Sequence, residues 1–268
     1  MRAWTVGSGS RGNAILLECD GTRVLVDAGY PPRLLGRRLA TIGIAPQSIE
    51  AVIVTHEHVD HARGVAAAQA KWGWRVYGSE GTLCGIRRLD AGARTPVLPG
   101  RPFSVGAFDI ELISVPHDAA APTALLATAR HSGFRTGCAH DLGSVPDTLR
   151  AAFARLDLLL LESNHDEGML RSGPYPPFLQ ARIASRTGHL SNRQSSALAR
   201  ALADPPLRQL VLLHLSEVNN TPRAAITTAT TALAGTRARC RVSAAMQDRV
   251  AGPFGDARAS TLQLPLAL

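Results

Sequence analysis

Residues Thr55-His56-Glu57-His58-Val59-Asp60-His61 place three imidazoles and an aspartate within six positions, directly after the apolar run Ala51-Val52-Ile53-Val54. Imidazole nitrogen and carboxylate oxygen are good ligands for zinc, manganese or iron. The spacing lets His56 and His58 converge on one ion, while Asp60 and His61 turn toward a second a few ångströms away. The bland alternative is a polar loop that collected histidines by chance. Four such residues packed behind a buried strand argue against it.

The motif needs a rigid strand end to stand on, and the sequence supplies several. Strands are expected over Ala3–Val6, Ala14–Glu18, Arg23–Val26, Ala51–Val54, Val76–Tyr77, Phe108–Val115, Thr123–Ala129, Phe134–Ala139, Asp157–Leu161, Leu210–Leu213 and Arg239–Ser243. Helices are expected from Pro31 to about Ile42 and over Ala62–Lys71, Pro146–Phe153, Ser191–Ala203 and Pro222–Leu233. Gly9 and Gly12 permit a tight loop between the first two strands whose N–H groups point at one spot. His131-Ser132-Gly133 reads as a hairpin turn. A strand meander followed by strand–helix alternation, with the same style in both halves, predicts an α/β fold of two mixed sheets packed face to face with helices outside. No break demands two domains, so residues 1–268 read as one, and the tail from about residue 252 carries no assigned element.

The pattern H-x-H-x-D-H resembles that of the metallo-β-lactamase superfamily, whose fold is an αββα sandwich with a dinuclear site at one edge between the sheets. The resemblance extends to Asp27 in Val24-Leu25-Val26-Asp27, His117 in Val115-Pro116-His117, Asp141 in His140-Asp141-Leu142 and His214 in Leu213-His214-Leu215. It implies two divalent ions, zinc or manganese. One would be held by His56, His58, His117 and Asp141, the other by Asp60, His61, Asp141 and His214, with Asp27 orienting a ligand from behind. His140 would be structural.

Ser8-Gly9-Ser10-Arg11-Gly12-Asn13 further resembles the S-G-S-x-G-N start of the YycJ/WalJ family of cytoplasmic 5′-exonucleases. So do the blocks Leu161-Glu162-Ser163-Asn164-His165-Asp166, Gly173-Pro174-Tyr175-Pro176, Gly188-His189-Leu190-Ser191-Asn192 and His214-Leu215-Ser216-Glu217-Val218-Asn219-Asn220. Arg11 and His140 depart from the pattern without removing a ligand. The Gly188–Asn192 block also resembles the tRNA-processing nuclease RNase Z, where the equivalent histidine acts beside the metals. This implies catalytic roles for Asp60 and His189, with a metal-bridging hydroxide attacking phosphorus and His189 assisting the leaving oxygen. Ser163, His165, Asn192, Arg182 and Arg186 are the expected substrate contacts, Arg171 and Arg193 lying near in sequence.

Charge and composition bear on the partner. Arginine and lysine total 29 against 21 acidic residues, a net +8, and Lys71 is the one lysine. A basic, arginine-dominated surface favours polyanions, so nucleic acid, and DNA ends contacted through phosphate, is the expected partner. Aromatic residues are 4% of the chain, and no interleaved aromatic platform for base reading is apparent. No apolar run reaches the roughly 18 residues of a membrane span, no secretory signal opens the chain, and Cys19, Cys84, Cys138 and Cys240 are scattered, all of which point to the cytoplasm. The resulting expectation is a metal-dependent 5′-to-3′ exonuclease on DNA. A glyoxalase- or lactonase-like hydrolase of small esters or thioesters, and an RNA-processing nuclease, are the alternatives.

Overall fold

The computed structural model describes residues 1–203 and 207–255. The chain opens with β1 (Arg2–Gly7), β2 (Ala14–Cys19) and β3 (Thr22–Val26), followed by α1 (Pro32–Ala40) and β4 (Ala51–Ile53). Next come α2 (Val59–Ala62), α3 (Val65–Trp72), β5 (Arg75–Gly78), α4 (Glu80–Gly85) and β6 (Arg94–Pro96). The second sheet begins with β7 (Phe103–Val105), β8 (Phe108–Ser114), β9 (Thr123–Ala129) and β10 (Arg135–Ala139). It continues through α5 (Asp147–Ala152), β11 (Leu158–Glu162), α6 (Glu167–Ser172), α7 (Pro177–Ile183), α8 (Asn192–Ala201), β12 (Gln209–Leu213), α9 (Pro222–Leu233) and β13 (Arg241–Ala244). Finally β14 (Ala251–Gly255) returns to the first sheet beside β1.

The strand orders are β14-β1-β2-β3-β4-β5-β6 and β13-β12-β11-β10-β9-β8-β7. Both sheets are mixed: antiparallel meanders pass into parallel pairs, β3–β4–β5–β6 in one and β10–β11–β12–β13 in the other. The expected α/β sandwich is therefore observed. Its cause is visible in Leu158-Leu159-Leu160-Leu161. Leu158 and Leu160 join Ile15, Leu17, Val24 and Phe108 between the sheets. Leu159 and Leu161 face outward onto Leu149 of α5, Leu198 of α8 and Ala225 of α9. A strand buried on both faces has no polar face, so it reads as a continuous apolar run. On the outside of the first sheet, Leu16, Leu25 and Val52 pack against Leu35 and Leu39 of α1 and Val65 of α3.

Some elements differ from expectation. The helix expected over Ala62–Lys71 is two helices, α2 and α3, broken near Gly64. A Cβ at Gly64 would lie 2.0 Å from the Tyr30 carbonyl oxygen, so the chain passes too close there for any other residue. The short helices α4, α6 and α7 and the strands β6, β7 and β14 carry no periodic signal long enough to read. The expected hairpin turn at His131–Gly133 links β9 to β10, with Gly133 at φ +69°.

Candidate metal centre

The site forms where strands of both sheets end. Asp27 follows β3, the His56–His61 motif follows β4, His117 follows β8, Asp141 follows β10, and His214 follows β12. Asp27, Asp141 and His214 have φ of +60°, +57° and +50°. Non-glycine residues seldom occupy this left-handed region, at a cost of about 1–3 kcal/mol each, and such residues cluster at functional sites. Each turns the chain sharply as its strand stops, and the fold holds the turn: Asp27 N–H donates to the Ile53 carbonyl at 2.9 Å, and His214 N–H to Ser8 Oγ at 2.8 Å.

Two donor groups match the expected pair. His56, His58 and His117 bring one ligand atom each within 4.8 Å of one another, and so do Asp60, His61, Asp141 and His214; Asp141 and His214 also gather with Glu162 and His189, and His61 with Asp27 and His140. Asp141 joins the two: Oδ2 lies 3.4 Å from His56 Nε2 and 2.5 Å from His61 Nε2, and Oδ1 contacts His214 Nδ1. His56, His61, His117, Asp141 and His214 are buried; His58 and Asp60 are partly open to the cleft.

The far sides of the His56, His58, His61 and His117 rings are tied to the protein. His61 Nδ1–H donates to Asp27 Oδ2 at 2.7 Å, leaving Nε2 inward. Thr55 Oγ donates to the same Asp27 oxygen at 2.8 Å and faces His56 Nδ1 at 3.1 Å, so Asp27 steers His56 through Thr55. His117 Nδ1–H donates to the Gly188 carbonyl at 3.1 Å, and His58 Nε2–H to the Asp118 carbonyl at 3.2 Å. Fixing one imidazole nitrogen selects the tautomer and presents the other to an ion. His56 Nε2, Asp141 Oδ1 and both ring nitrogens of His214 are buried, crowd one another and make no aligned hydrogen bond, an arrangement that leaves ligand atoms for a cation. This donor set fits divalent metals.

The electrostatics agree. Burial alone would raise the carboxyl of Asp141, but the facing His214 and His61 rings hold it well below the usual range. Burial likewise opposes ionisation of Asp60, and His61 and His214 more than offset it. Burial and the adjacent His61 charge push His56 well below the ordinary imidazole value, keeping it neutral as coordination requires. On the anionic side, Asp141, Asp60 and Asp27 drive His61 well up against its burial. That half of the site therefore takes up positive charge, which a divalent ion supplies in place of protons.

Four residues outside the expected set support the centre. Asn13 Nδ2 lies 3.0 Å from His61 Nε2 and 3.2 Å from Asp60 Oδ2, and Ser8 accepts the His214 N–H. Ser10 lines the cleft. Glu162, at the end of β11, accepts the Leu142 and Leu190 N–H groups at 3.1 Å and the His189 Nδ1–H at 2.7 Å. The sequence carried signals for two of them: a lone carboxylate closing a four-leucine run, and an asparagine ending a Gly/Ser loop. His189 also lies 3.2 Å from Asp141 Oδ1. Burial would lower its pKa, but Glu162 and Asp141 raise it to about 9.

Above the centre is a cleft of about 310 Å³, lined among others by His58, Asp60, Asp141, His189 and Arg182. Arg182 Nη2 pairs with Asp118 Oδ2 at 2.6 Å on its wall. The other expected substrate contacts lie elsewhere. Ser163 and Asn192 are buried; Ser163 Oγ donates to Asn192 Oδ1 at 2.6 Å, and Asn220 closes the network at 2.9 Å. Their polar groups are consumed tying the loops after β11 and before α8 together. His165 is buried beside them in a bridge to Ser191. Arg186 is exposed outside the cleft lining, and Arg193 pairs with Glu167 at 3.0 Å, so the expected arginine cluster is dispersed. Arg11 points to Glu217 and Asp248. The N–H groups of the Gly9–Asn13 loop do not form an open anion cradle. Gly9 donates to Asn13 Oδ1, Arg11 to Gln247, Gly12 to Gly9 and Asn13 to Asp60. His140 stacks on His61 at 4.8 Å, 3.3 Å from Asp27 Oδ2, behind the metal-facing side.

Comparison with known proteins places these features in a family. Residues 22–215 match the β-lactamase superfamily domain. The chain is 34% identical over 222 residues to exodeoxyribonuclease WalJ of Streptococcus pneumoniae serotype 2, covering 80% of this chain and 81% of that protein. It is 30% identical over 220 residues to exodeoxyribonuclease YycJ of Bacillus anthracis, covering 80% and 82%. Among solved structures, the metallo-β-lactamase fold protein YhfI from Bacillus subtilis superposes with a TM-score of 0.72 over 93% of this chain and 97% of that one, at 18% identity, a likeness of fold. The chain belongs to the β-lactamase superfamily and, within it, to the family of the exodeoxyribonucleases WalJ and YycJ.

Proposed function

We propose that this protein is a metal-dependent exonuclease that degrades DNA from the 5′ end. The observation that carries the reading is the pair of His/Asp donor groups joined through Asp141 on the floor of an open cleft, with His189 standing on its wall. The names of the WalJ and YycJ relatives support the substrate class.

His56, His58 and His117 with Asp141 would hold one divalent ion, and Asp60, His61 and His214 with Asp141 the other. Zinc and manganese both suit these donors. When bound, such ions supply positive charge against the phosphoryl oxygens and lower the pKa of a water nucleophile. The chain's own residues do the rest. Asp27 fixes the inward tautomer of His61 and, through Thr55, of His56. Glu162 holds His189 Nδ1–H, which leaves Nε2 as the nitrogen that protonates the leaving oxygen. Arg182 contacts a substrate phosphate once it exchanges Asp118 for that partner. The unpaired state of Cys19, Cys84, Cys138 and Cys240 agrees with the reducing cytoplasm we propose as its setting. Among the described residues no helix is long and apolar enough to cross a membrane.

The test is to incubate metal-loaded protein with end-labelled single- and double-stranded DNA and RNA, with and without a 5′-phosphate. Progressive loss from the 5′ end of DNA is expected. Hydrolysis of a thioester or lactone with every nucleic acid left intact would instead select the small-molecule hydrolase.

A further inference from the structure

The cleft is small. About 310 Å³ lies at the lower limit of small-molecule sites, roughly 300–1,000 Å³, so it accommodates about one nucleotide. The remainder of any strand must leave over the rim. One stretch of that rim is Tyr175 and α7, which contributes Leu179, Arg182 and Ile183 to the lining. At about 100° per residue, Phe178 lies about 40° around α7 from Arg182, just outside the arc of Leu179, Arg182 and Ile183 that lines the cleft. Phe178 is 76% exposed, more than any other large apolar side chain among the described residues. Water gains nothing from an exposed phenyl ring, and such a ring beside a cleft marks a binding surface. The segment is stiff: Pro174, Pro176 and Pro177 flank Tyr175, and the Gln180 side chain donates to the Tyr175 carbonyl at 2.7 Å. In a chain with 4% aromatics, Tyr175 in the cleft lining and Phe178 three positions on, exposed beside it on α7, are a local concentration.

We propose that Tyr175 and Phe178 form a stacking rim that grips the unpaired bases of a single strand entering the cleft, so that single-stranded or frayed ends are the preferred substrate. The proposal rests on the nuclease reading above. Stacking is indifferent to base identity, because every base has a π-face. It therefore adds grip and strand selection without sequence reading, while Arg182, one turn further along α7, holds the backbone.

The test measures anisotropy of a labelled, 5′-phosphorylated oligothymidylate with phosphorothioate linkages, and of the same strand made abasic beyond its first nucleotide. Phe178→Ala should weaken binding of the base-bearing strand about tenfold, and Phe178→Trp should restore it. Wild type should bind the abasic strand about as weakly as Phe178→Ala binds the base-bearing one. Equal losses on both strands, no loss on either, or a loss accompanied by a change of oligomeric state would overturn the rim. If the wild type degrades DNA while Phe178→Ala binds as tightly, the rim alone falls. If the wild type neither binds nor degrades any nucleic acid, the nuclease reading falls with it.

Discussion

Asp27 never faces the cleft, yet it governs two metal-facing histidines. Both of its oxygens are engaged, Oδ1 by the Thr55 N–H at 2.8 Å and Oδ2 by Thr55 Oγ and His61. Removing its charge while keeping its shape weakens the hold on both rings. Asp27→Asn should lower metal affinity about 10- to 100-fold, measured by competition with a chelating dye, without a large change in circular dichroism. His189 makes the opposite prediction. It contacts Glu162 and Asp141 but is not needed to complete either donor group, so His189→Ala should keep its metals while turnover on DNA falls about 10²- to 10⁴-fold. The loss should be smaller on a nitrophenyl phosphodiester, whose leaving group needs no proton. Metal loss in that variant would make His189 a ligand instead. At this scale the sequence was legible where chemistry demands scarce residue types, as in the His56–His61 run. It misled where Ser163, Asn192 and His165 share a segment with site residues but spend their polar groups on one another. Asn13 and Glu162 stood within the family blocks but were given no role, because an asparagine in a glycine loop and a glutamate at a strand end have ordinary structural explanations.

Strands carried most of the readable signal. The runs in β2, β3, β9, β11 and β12 are five to seven residues long and mostly apolar, and the capping box Ser191-Asn192-Arg193-Gln194 marks the start of α8, with both of its hydrogen bonds present. Elements of three to seven residues such as α6, α7 and β7 offer less than two periods of any pattern, so tertiary packing decides them. One cross-strand device ties the first sheet together. Glu18 of β2 stands opposite Arg2 of β1 and Arg23 of β3, bonds Arg23 Nε at 2.7 Å and pairs with Arg2. Burial would raise its carboxyl, but the two guanidiniums hold it below the ordinary value. A depressed folded pKa gives stability that is complete above the unfolded pKa of about 4.3 and fades as pH falls through the lower folded value. Glu18→Gln should thus lower Tm at pH 7 by about 2–4 °C, for a loss of about 1 kcal/mol. The gap between variant and wild type should close as the pH is taken below about 4, which thermal melts across that range would show.

For the molecule as a whole, the parallel strands of both sheets run toward one end, and that end collects every donor. This much follows from a strand–helix alternation repeated in two halves. With a net charge of +8 and an arginine on the cleft wall, DNA affinity should fall steeply between low and physiological salt and change little with sequence at fixed length. A flat salt response would contradict phosphate-dominated binding. What the sequence did not disclose is how distant segments meet. β14 pairs with β1 across about 250 residues, with Gly255 opposite Arg2. Such contacts leave no local pattern. Their consequence lies in what β14 hides. It occupies the outer flank of the first sheet, and without it β1 would present a row of free N–H and C=O groups to any neighbouring copy. A chain ended after Val250 keeps every metal-facing residue, so it should still bind metal when dilute. As its concentration rises it should pass into edge-to-edge aggregates, seen as growing light scattering and thioflavin fluorescence while the full chain stays clear. β14 would then be a guard against self-association as much as a part of the scaffold.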